Sequence, residues 1–208
     1  LAQASFWFYE WTNVFANIDY FFVLTKFQKE KVRQMGIENQ RVILKPNSLD
    51  MVHRRVENKK GYIYVGRLEE SKGIYELLNT WSKLDARFVL TVVGGGDIEA
   101  ALRQQYSQKN IIFKGKRSRE DTLEYISKSE YLIQPSLLYE TFGLTIIEAM
   151  SLAVPVIGFD IGTRNNFIED GVNGFLSGKN QLAEVVTKSF EYKYYDLLSA
   201  NSLLTAGL

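Results

Sequence analysis

Short apolar runs alternate with stretches of helical character over most of the chain, and this alternation constrains the fold more than any other feature. The runs are rich in β-branched and aromatic residues and occupy 62–65, 88–93, 111–113, 131–134 and 154–159. The helical stretches between them occupy 73–83, 98–105, 119–128 and 143–152. Strands and helices that alternate in this way form a parallel sheet with helices on both faces. The sequence therefore predicts an α/β fold with a doubly wound parallel sheet.

The first sixty residues have a less regular pattern. An aromatic-rich helix is predicted at 5–17, strands at 20–24 and 41–44, and a polar helix at 26–35. The polar and charged stretch 50–60 is typical of an exposed linker, so we place a domain boundary near Asn47. The predicted organisation is the tail of an N-terminal α/β domain at 1–46, a linker at 47–60 and a larger domain at 61–208.

Composition excludes several classes of function. The chain of 208 residues has 25 Lys and Arg against 24 Asp and Glu, and this formal charge of +1 gives no support for nucleic-acid binding. It has no cysteine and one histidine, His53, so thiolate and multi-histidine metal sites are excluded. No Asp-x-Asp pair is present, and we expect no metal at the site. No apolar run reaches the roughly 18 residues of a membrane span.

Small and charged residues follow the predicted strands of the larger domain. They occur at 66–67, 94–96, 114–116, 135–136 and 160–162. The carboxyl ends of parallel strands lie along one edge of a sheet, and ligands of such sheets bind there. We therefore expect the binding site at this edge.

Two cations near the end of the first of these strands suit a diphosphate. Arg67 offers a planar fork of donors and Lys72 a compact point charge. Gly66 and Gly73 permit close approach of the backbone to a ligand. The alternative is a solvated basic pair beside the two glutamates that lie between the cations.

A pair of glutamates brackets a predicted helix start. Gly143 lets an anion approach the first amides of the helix, where free N–H groups and the helix dipole favour phosphate. Glu148 lies on the same helix and leans toward that end, where it can accept hydrogen bonds from a ribose. Glu140, in the preceding loop, would face a sugar. The alternative is a carboxylate that stabilises the first turn beside a surface glutamate.

Two further segments carry weaker signals. Gly95 lies in a triple glycine after a strand, which we interpret as a turn lining the site, because the third glycine of a dinucleotide fingerprint is absent. Lys116 lies in a short basic run that could contact a nucleotide base. A plain turn and a solvated loop are the respective alternatives. Aromatic residues between 6 and 15 suit either a membrane surface or a buried interdomain face.

Together these motifs resemble glycosyl transferases group 1, the family-four set of retaining enzymes with the GT-B fold. The matching stretches are 65–68 with 72–73, 93–96, 135–136, 140–149, 154–157 and 170–176, in the family's order. Residues 47–50 resemble the family's interdomain crossing, and the resemblance extends over roughly 20–184. One departure is the loop 165–168, which lacks the glutamate that the family often has there.

The resemblance implies roles for these residues. Arg67 and Lys72 would hold the donor diphosphate, while Glu148 would bind the ribose and Glu140 the sugar hydroxyls. The backbone at Phe142, Gly143 and Leu144 would meet phosphate and sugar. It also implies a Rossmann-like GT-B C-terminal domain, retention of configuration, and no cofactor or metal beyond the nucleotide-sugar substrate.

The function that we predict is transfer of a hexosyl group from a nucleotide-diphosphate sugar to a glycan or lipid-linked acceptor. The expected setting is surface polysaccharide or lipopolysaccharide synthesis in the cytoplasm, at the inner face of the membrane, with peripheral contact through the N-terminal domain. We expect a piece of a longer enzyme that is inactive alone. The alternatives are a nucleotide-binding module without transfer activity, or a sugar-nucleotide epimerase of the same fold. An NAD oxidoreductase has the least support.

Overall fold

The computed structural model describes residues 14–47 and 56–207. The chain forms two compact units that divide between Ser48 and Leu49. The greater part of the predicted helix at 5–17, and residues 48–55 of the predicted linker, lie outside the described residues.

The smaller unit contains two parallel strands joined by one helix. Its strands are β1 (Phe21–Val23) and β2 (Val42–Leu44), its helix is α1 (Lys26–Gln34), and short 3₁₀ turns occupy Val14–Asn17 and Asn39–Arg41. Thr25 begins α1 because its side chain accepts a hydrogen bond from the amide of Gln28 at 3.2 Å. The side chain of Gln28 in turn accepts from the amide of Leu24 at 2.8 Å.

The larger unit is built on a six-stranded sheet in which every neighbouring pair is parallel. Its strands are β3 (Tyr62–Val65), β4 (Leu90–Val93), β5 (Ile111–Gly115), β6 (Tyr131–Gln134), β7 (Val156–Phe159) and β8 (Gly174–Ser177). Their spatial order is β5-β4-β3-β6-β7-β8. Counted along this unit, that is the 3-2-1-4-5-6 order of a Rossmann sheet. The predicted α/β class and doubly wound parallel sheet are confirmed.

Six helices connect or follow these strands. They are α2 (Ile74–Trp81), α3 (Glu99–Gln105), α4 (Arg119–Ser127), α5 (Leu144–Ser151), α6 (Leu182–Phe190) and α7 (Tyr195–Ala206). In α2, the spacing of apolar residues explains the packing, since Ile74, Leu77, Leu78 and Trp81 fall on one stripe and are buried.

The core lies between the sheet and the helices that cover it. All residues of β6 and β7 are buried, as expected for strands covered on both faces. Trp81 is fully buried, and its indole Nε1 donates a hydrogen bond to the carbonyl of Phe88 at 3.0 Å. Its ring meets that of Tyr62 edge to face, with centroids 5.2 Å apart. The large aromatic side chains therefore tie α2 to the sheet.

Some element boundaries differ from the prediction for reasons visible in the backbone. β7 begins at Val156 rather than at 154, because Val154 donates its amide to the carbonyl of Ala149 and so closes the end of α5. Ala153 takes the left-handed conformation (φ 55°) that this type of helix end requires. Strand β8 and helices α6 and α7 were not predicted.

The strand order reverses between β3 and β6. In sheets of this type the loops that follow the strands diverge at such a reversal, and the crevice between them is where ligands bind. The segments that follow β3 and β6 carry the predicted cations and the two predicted glutamates. The topology therefore brings the main sequence motifs to one place.

Candidate functional site

The loops after β3 and β6 approach closely because glycine stands where they meet. Gly73 has a left-handed backbone (φ 69°), and a Cβ atom there would lie only 1.9 Å from the carbonyl oxygen of Pro135. The amide of Leu137 donates to the carbonyl of Ser71 at 3.0 Å and joins the same two loops. No residue larger than glycine fits at position 73 without moving one of these loops.

A second glycine approach fixes the loop after β4 against the loop after β3. A Cβ atom at Gly94, whose φ is 146°, would lie 1.8 Å from the carbonyl oxygen of Gly66. The amide of Leu68 donates to the carbonyl of Gly95 at 3.0 Å. The loops after three adjacent strands thus form one connected rim.

Lys72 and Glu140 form an ion pair across the reversal point. The Lys72 Nζ lies 2.8 Å from the Glu140 Oε1, and their side chains are only 20% and 17% exposed. The two residues lie far apart in the sequence, and the sheet order alone brings them together. The predicted phosphate-binding lysine and the predicted sugar-facing glutamate are therefore direct partners.

Glu140 is held in its charged form. Burial alone would raise the pKa of its carboxyl, but hydrogen bonds from Lys72 and Ser136 and the charges of Lys72 and Arg164 outweigh it and lower that pKa. Because the folded-state pKa is lowered, the stabilisation from the charged carboxylate is present above the ordinary pKa of glutamate. It is lost as the pH falls through the lowered value.

The N-terminus of α5 is open toward the same loops. Gly143 precedes the helix with a φ of 88°, and no described side chain caps the first turn. The first turn of a helix presents free N–H groups and a partial positive charge. Leu144, the first helical residue, is exposed, whereas Phe142 is buried against Phe167. At position 142 the backbone, rather than the side chain, is therefore the part available to a ligand.

Glu148 lies one turn into α5 and pairs with a residue of α4. Its Oε1 is 3.2 Å from the Nε of Arg119, the first residue of α4, and its side chain is largely buried. Arg119 itself is mostly exposed. Arg119 could not be chosen from the sequence, because it is one of several cations in a polar stretch.

Arg67, the other predicted cation, lies at the surface of the rim. Its guanidinium is 3.1 Å from the carboxylate of Glu69 and is mostly exposed, so this pair is weak and easily exchanged for another anion. Its carbonyl accepts a hydrogen bond from the hydroxyl of Tyr64 at 2.7 Å. The backbone of Arg67 is thus fixed while its side chain stays accessible.

Gly95 and Lys116 line the outer part of the same edge. A Cβ atom at Gly95 would lie 3.5 Å from the Cβ of Lys116, which is ordinary contact, so the loops after β4 and β5 are neighbours. Lys116 is exposed. The structure thus places these two predicted residues beside each other. They follow β4 and β5, so Gly66, which follows β3, lies between them and Glu140 along the edge of the sheet.

Arg164 was missed in the sequence, and Thr163 was interpreted there only as part of a turn that could also meet the donor sugar. Thr163 is fully buried, and its hydroxyl donates to the carbonyl of Glu140 at 3.1 Å. Arg164 is also fully buried and donates to the carbonyls of the loop before Glu140. Both residues lie in the loop after β7, but nothing in the sequence indicates that a guanidinium there is buried.

Residues 59–191 match a family model described as Glycosyl transferases group 1. Among curated proteins, the O-antigen chain mannosyltransferase C of Escherichia coli is 31% identical over 78% of this chain and 45% of its own length. The GtfA subunit of a UDP-N-acetylglucosamine–peptide N-acetylglucosaminyltransferase from Streptococcus gordonii is 30% identical over 94% of this chain and 41% of its own length. The chain thus spans less than half the length of these relatives.

Solved structures share the fold. HepE of Anabaena, in complex with UDP, superposes with a TM-score of 0.82 at 20% identity, covering 91% of this chain and 59% of that one. The pneumococcal O-GlcNAc transferase GtfA, in complex with UDP and GlcNAc, has a TM-score of 0.80 at 24% identity, covering 96% and 44%. In the part of this chain that the structure describes, no helix is long and apolar enough to cross a membrane.

Proposed function

Because this chain belongs to the Glycosyl transferases group 1 family, we propose that its larger unit binds the nucleotide-diphosphate sugar of a retaining hexosyl transfer. The observation that carries the proposal is the ion pair of Lys72 and Glu140 across the reversal point of the sheet, beside an uncapped helix start. The proposed acceptor is a glycan or a lipid-linked acceptor. Since the chain spans less than half of its curated relatives, transfer is proposed for the whole protein.

The diphosphate would bind where positive charge converges. Arg67 is exposed on the rim, Lys72 lies at the reversal point, and α5 begins shortly after Glu140, the ion-pair partner of Lys72. As the bond to the sugar breaks, negative charge grows on the departing diphosphate. Preorganised cations and amide dipoles stabilise that charge more than they stabilise the bound donor, which is the basis of the proposed catalysis.

The sugar would bind beside Glu140. When Lys72 turns to the diphosphate, the Glu140 carboxylate loses its ion-pair partner and its oxygens become available to sugar hydroxyls. The carbonyl of Glu140 is held by the Thr163 hydroxyl, so the residue stays in place during this exchange. The contact between Lys72 and Glu140 would thus be replaced by two contacts with the donor.

The nucleoside would extend toward the outer strands. Glu148 is oriented by Arg119 and would accept hydrogen bonds from the ribose hydroxyls. Gly66, Gly95 and Lys116 lie along the edge that the base would follow. The base would meet the exposed Lys116 beside Gly95, where an added Cβ atom would have only ordinary contacts at 3.5 Å or more.

The proposed setting is bacterial surface polysaccharide or lipopolysaccharide synthesis. It is supported by the similarity to an O-antigen chain mannosyltransferase. The proposed location is the cytoplasm at the inner face of the membrane, where lipid-linked acceptors would be met through the N-terminal domain.

Transfer by the whole protein is expected to need no metal ion, because Arg67, Lys72 and the α5 amides supply the positive charge. Among residues 14–47 and 56–207, no cluster of three His, Cys, Asp or Glu side chains could hold a metal. Transfer measured in excess EDTA should remain close to that of untreated protein. A complete loss that magnesium or manganese restores would contradict this prediction.

Glu148→Gln separates ribose binding from phosphate binding. A hydrogen bond to a charged group contributes about 1.5–3 kcal/mol, so UDP affinity should fall by about 10- to 150-fold. Pyrophosphate has no ribose, and its affinity should change little. Calorimetric titration of the chain with UDP, GDP, ADP and pyrophosphate measures both effects.

Glu184→Gln is the matched control, because Glu184 is an exposed carboxylate on α6. This variant should bind UDP and pyrophosphate as the unmodified chain does. Equal losses for UDP and pyrophosphate in Glu148→Gln would overturn the ribose assignment. If the unmodified chain binds none of the three nucleotides more tightly than pyrophosphate, the proposed function itself fails.

A further inference from the structure

Arg164 is a cation buried inside the loops of the site. It follows β7, and none of its side chain is exposed. Arginine is almost never fully buried unless it is paired, so this position calls for an explanation. Neither the phosphate nor the sugar can reach its guanidinium directly, because described residues of the loops enclose it.

The guanidinium joins the loop after β6 to the loop after β7. Its Nη1 donates to the carbonyl of Ile161 at 2.5 Å, and its Nη2 donates to the carbonyls of Ser136 and, at 3.4 Å, Leu138. Ser136 and Leu138 lie in the loop that carries Glu140. A planar fork with several donors can hold several carbonyls at once, which the single ammonium of lysine does less well.

The sheet leaves room for this side chain. A Cβ atom at Gly158, in the middle of β7, would lie 3.1 Å from the Arg164 Cδ and 3.0 Å from the Ile168 Cδ1. Glycine inside a strand often marks a place where another group approaches closely. The stem of Arg164 therefore occupies space that this glycine provides.

Arg164 also acts on the charge of Glu140. Burial lowers the pKa of Arg164, and the Glu140 carboxylate raises it again. On the other side, the Arg164 charge is one of the groups that lower the pKa of Glu140. The two side chains thus stabilise each other's charged forms through the site.

Diphosphate binding would take the cationic partner away from the Glu140 carboxylate. In the structure the carboxylate is balanced by Lys72 at 2.8 Å. If Lys72 turns to a diphosphate, the half-buried carboxylate is left next to a polyanion. Burial and like charge both favour protonation of a carboxyl, and a protonated Glu140 would be a poorer acceptor for sugar hydroxyls.

We propose that Arg164 is a positioning residue of this site, which fixes the loop carrying Glu140 and stays as its counter-charge when Lys72 moves to a bound diphosphate. This inference rests on the proposed function for its biological meaning, but its physical content can be tested without a ligand. Arg164 cannot follow Lys72, because its side chain is fully buried and both its Nη1 and its Nη2 already donate to backbone carbonyls.

The other groups that face Glu140 do not supply this charge. The Ser136 hydroxyl donates to the Glu140 carboxylate, and the Thr163 hydroxyl donates to its carbonyl, but both are neutral. Burial raises the pKa of the nearby Tyr64, so its phenol is neutral as well. Apart from Lys72, Arg164 is the cation that acts on Glu140 among the described residues.

The test follows the titration of the Glu140 carboxyl carbon by NMR in the ligand-free chain with ¹³C-labelled glutamate. Glu140→Gln identifies the signal. Lys72→Met imitates the departure of Lys72, and in this variant we expect Glu140 to remain ionised at neutral pH. When Arg164→Met is added to Lys72→Met, the Glu140 titration should move to higher pH. When Arg164→Lys is added instead, the Glu140 titration should stay close to that of Lys72→Met alone.

Arg87→Met is the matched control, since Arg87 lies beside Phe88 and Phe190, at the opposite edge of the sheet, and should leave the titration unchanged. Protonation of Glu140 at neutral pH in Lys72→Met overturns the proposal. An unchanged Glu140 titration in Arg164→Met also overturns it. If Arg164→Met does not fold, a Glu140 titration that is displaced to higher pH in Arg164→Lys overturns it instead. Failure of the chain to bind nucleotides would refute the proposed function. The Glu140 titrations could still be interpreted, because they need no ligand.

Discussion

Gly73→Ala is expected to lower the free energy of unfolding by about 2–5 kcal/mol. A left-handed backbone costs an alanine about 1–2 kcal/mol, and a forced overlap in a packed region costs about 1–3 kcal/mol more. Both apply at Gly73, where φ is 69° and the added Cβ would lie 1.9 Å from the Pro135 carbonyl oxygen. Urea denaturation followed by circular dichroism measures the loss.

Gly171→Ala is the matched control for this prediction. Gly171 has nearly the same backbone (φ 73°), but an added Cβ there meets no atom within 4 Å. Gly171→Ala should therefore lower the free energy of unfolding only by the cost of the left-handed backbone, about 1–2 kcal/mol. Equal losses for the two variants would show that the approach of the loops at Gly73 is unimportant for stability.

Lys72→Met is expected to weaken the binding of a nucleoside diphosphate such as UDP by about 10- to 150-fold, the effect of losing one charged hydrogen bond of about 1.5–3 kcal/mol. Arg67→Met should have an effect of the same order. Glu140→Gln should not weaken UDP binding, because UDP lacks the transferred hexose that Glu140 would contact, and the change frees Lys72 from its ion pair. Calorimetric titration with UDP measures all three variants.

Lys128→Met provides the control for a lost lysine. Lys128 also pairs with a glutamate, Glu124, but it lies at the end of α4 just before β6, away from the loops of the site. Its loss should leave UDP affinity unchanged. If Glu140→Gln loses UDP affinity as severely as Lys72→Met, the assignment of Lys72 to the phosphates and of Glu140 to the transferred sugar is wrong.

The sequence predicted the centre of the sheet well. β3 and β6 were predicted to the residue, because compact runs of apolar and aromatic residues are bounded by polar residues and glycine. β8 was missed because it begins at Gly174, inside a stretch that has the composition of a turn. Helix α7 was missed as well, and its apolar residues do not form a single stripe, since Leu198 is buried while Leu197 and Leu204 are exposed.

The residues of the site could be chosen from the sequence, but their partners could not. Lys72 and Glu140 were both selected, yet their contact depends on β3 lying next to β6, and strand order is not visible in hydrophobic patterns. Arg164 could not be selected, because its role comes from burial and from the carbonyls around it. The assigned binding roles of the individual residues stay predictions until the titrations are done.

The strand order also has a consequence for how the binding site comes into being. β3, β4 and β5 form one set of successive parallel strands, and β6, β7 and β8 form another, with the β3–β6 pairing as the junction between the two sets. Contacts between segments far apart in the chain form slowly, because a long loop must be closed first. Neither half contains both Lys72 and Glu140, so whichever half forms first, the site arises only when the junction closes. A nucleotide that contacts both loops binds the joined state alone, and by mass action it holds the two halves together.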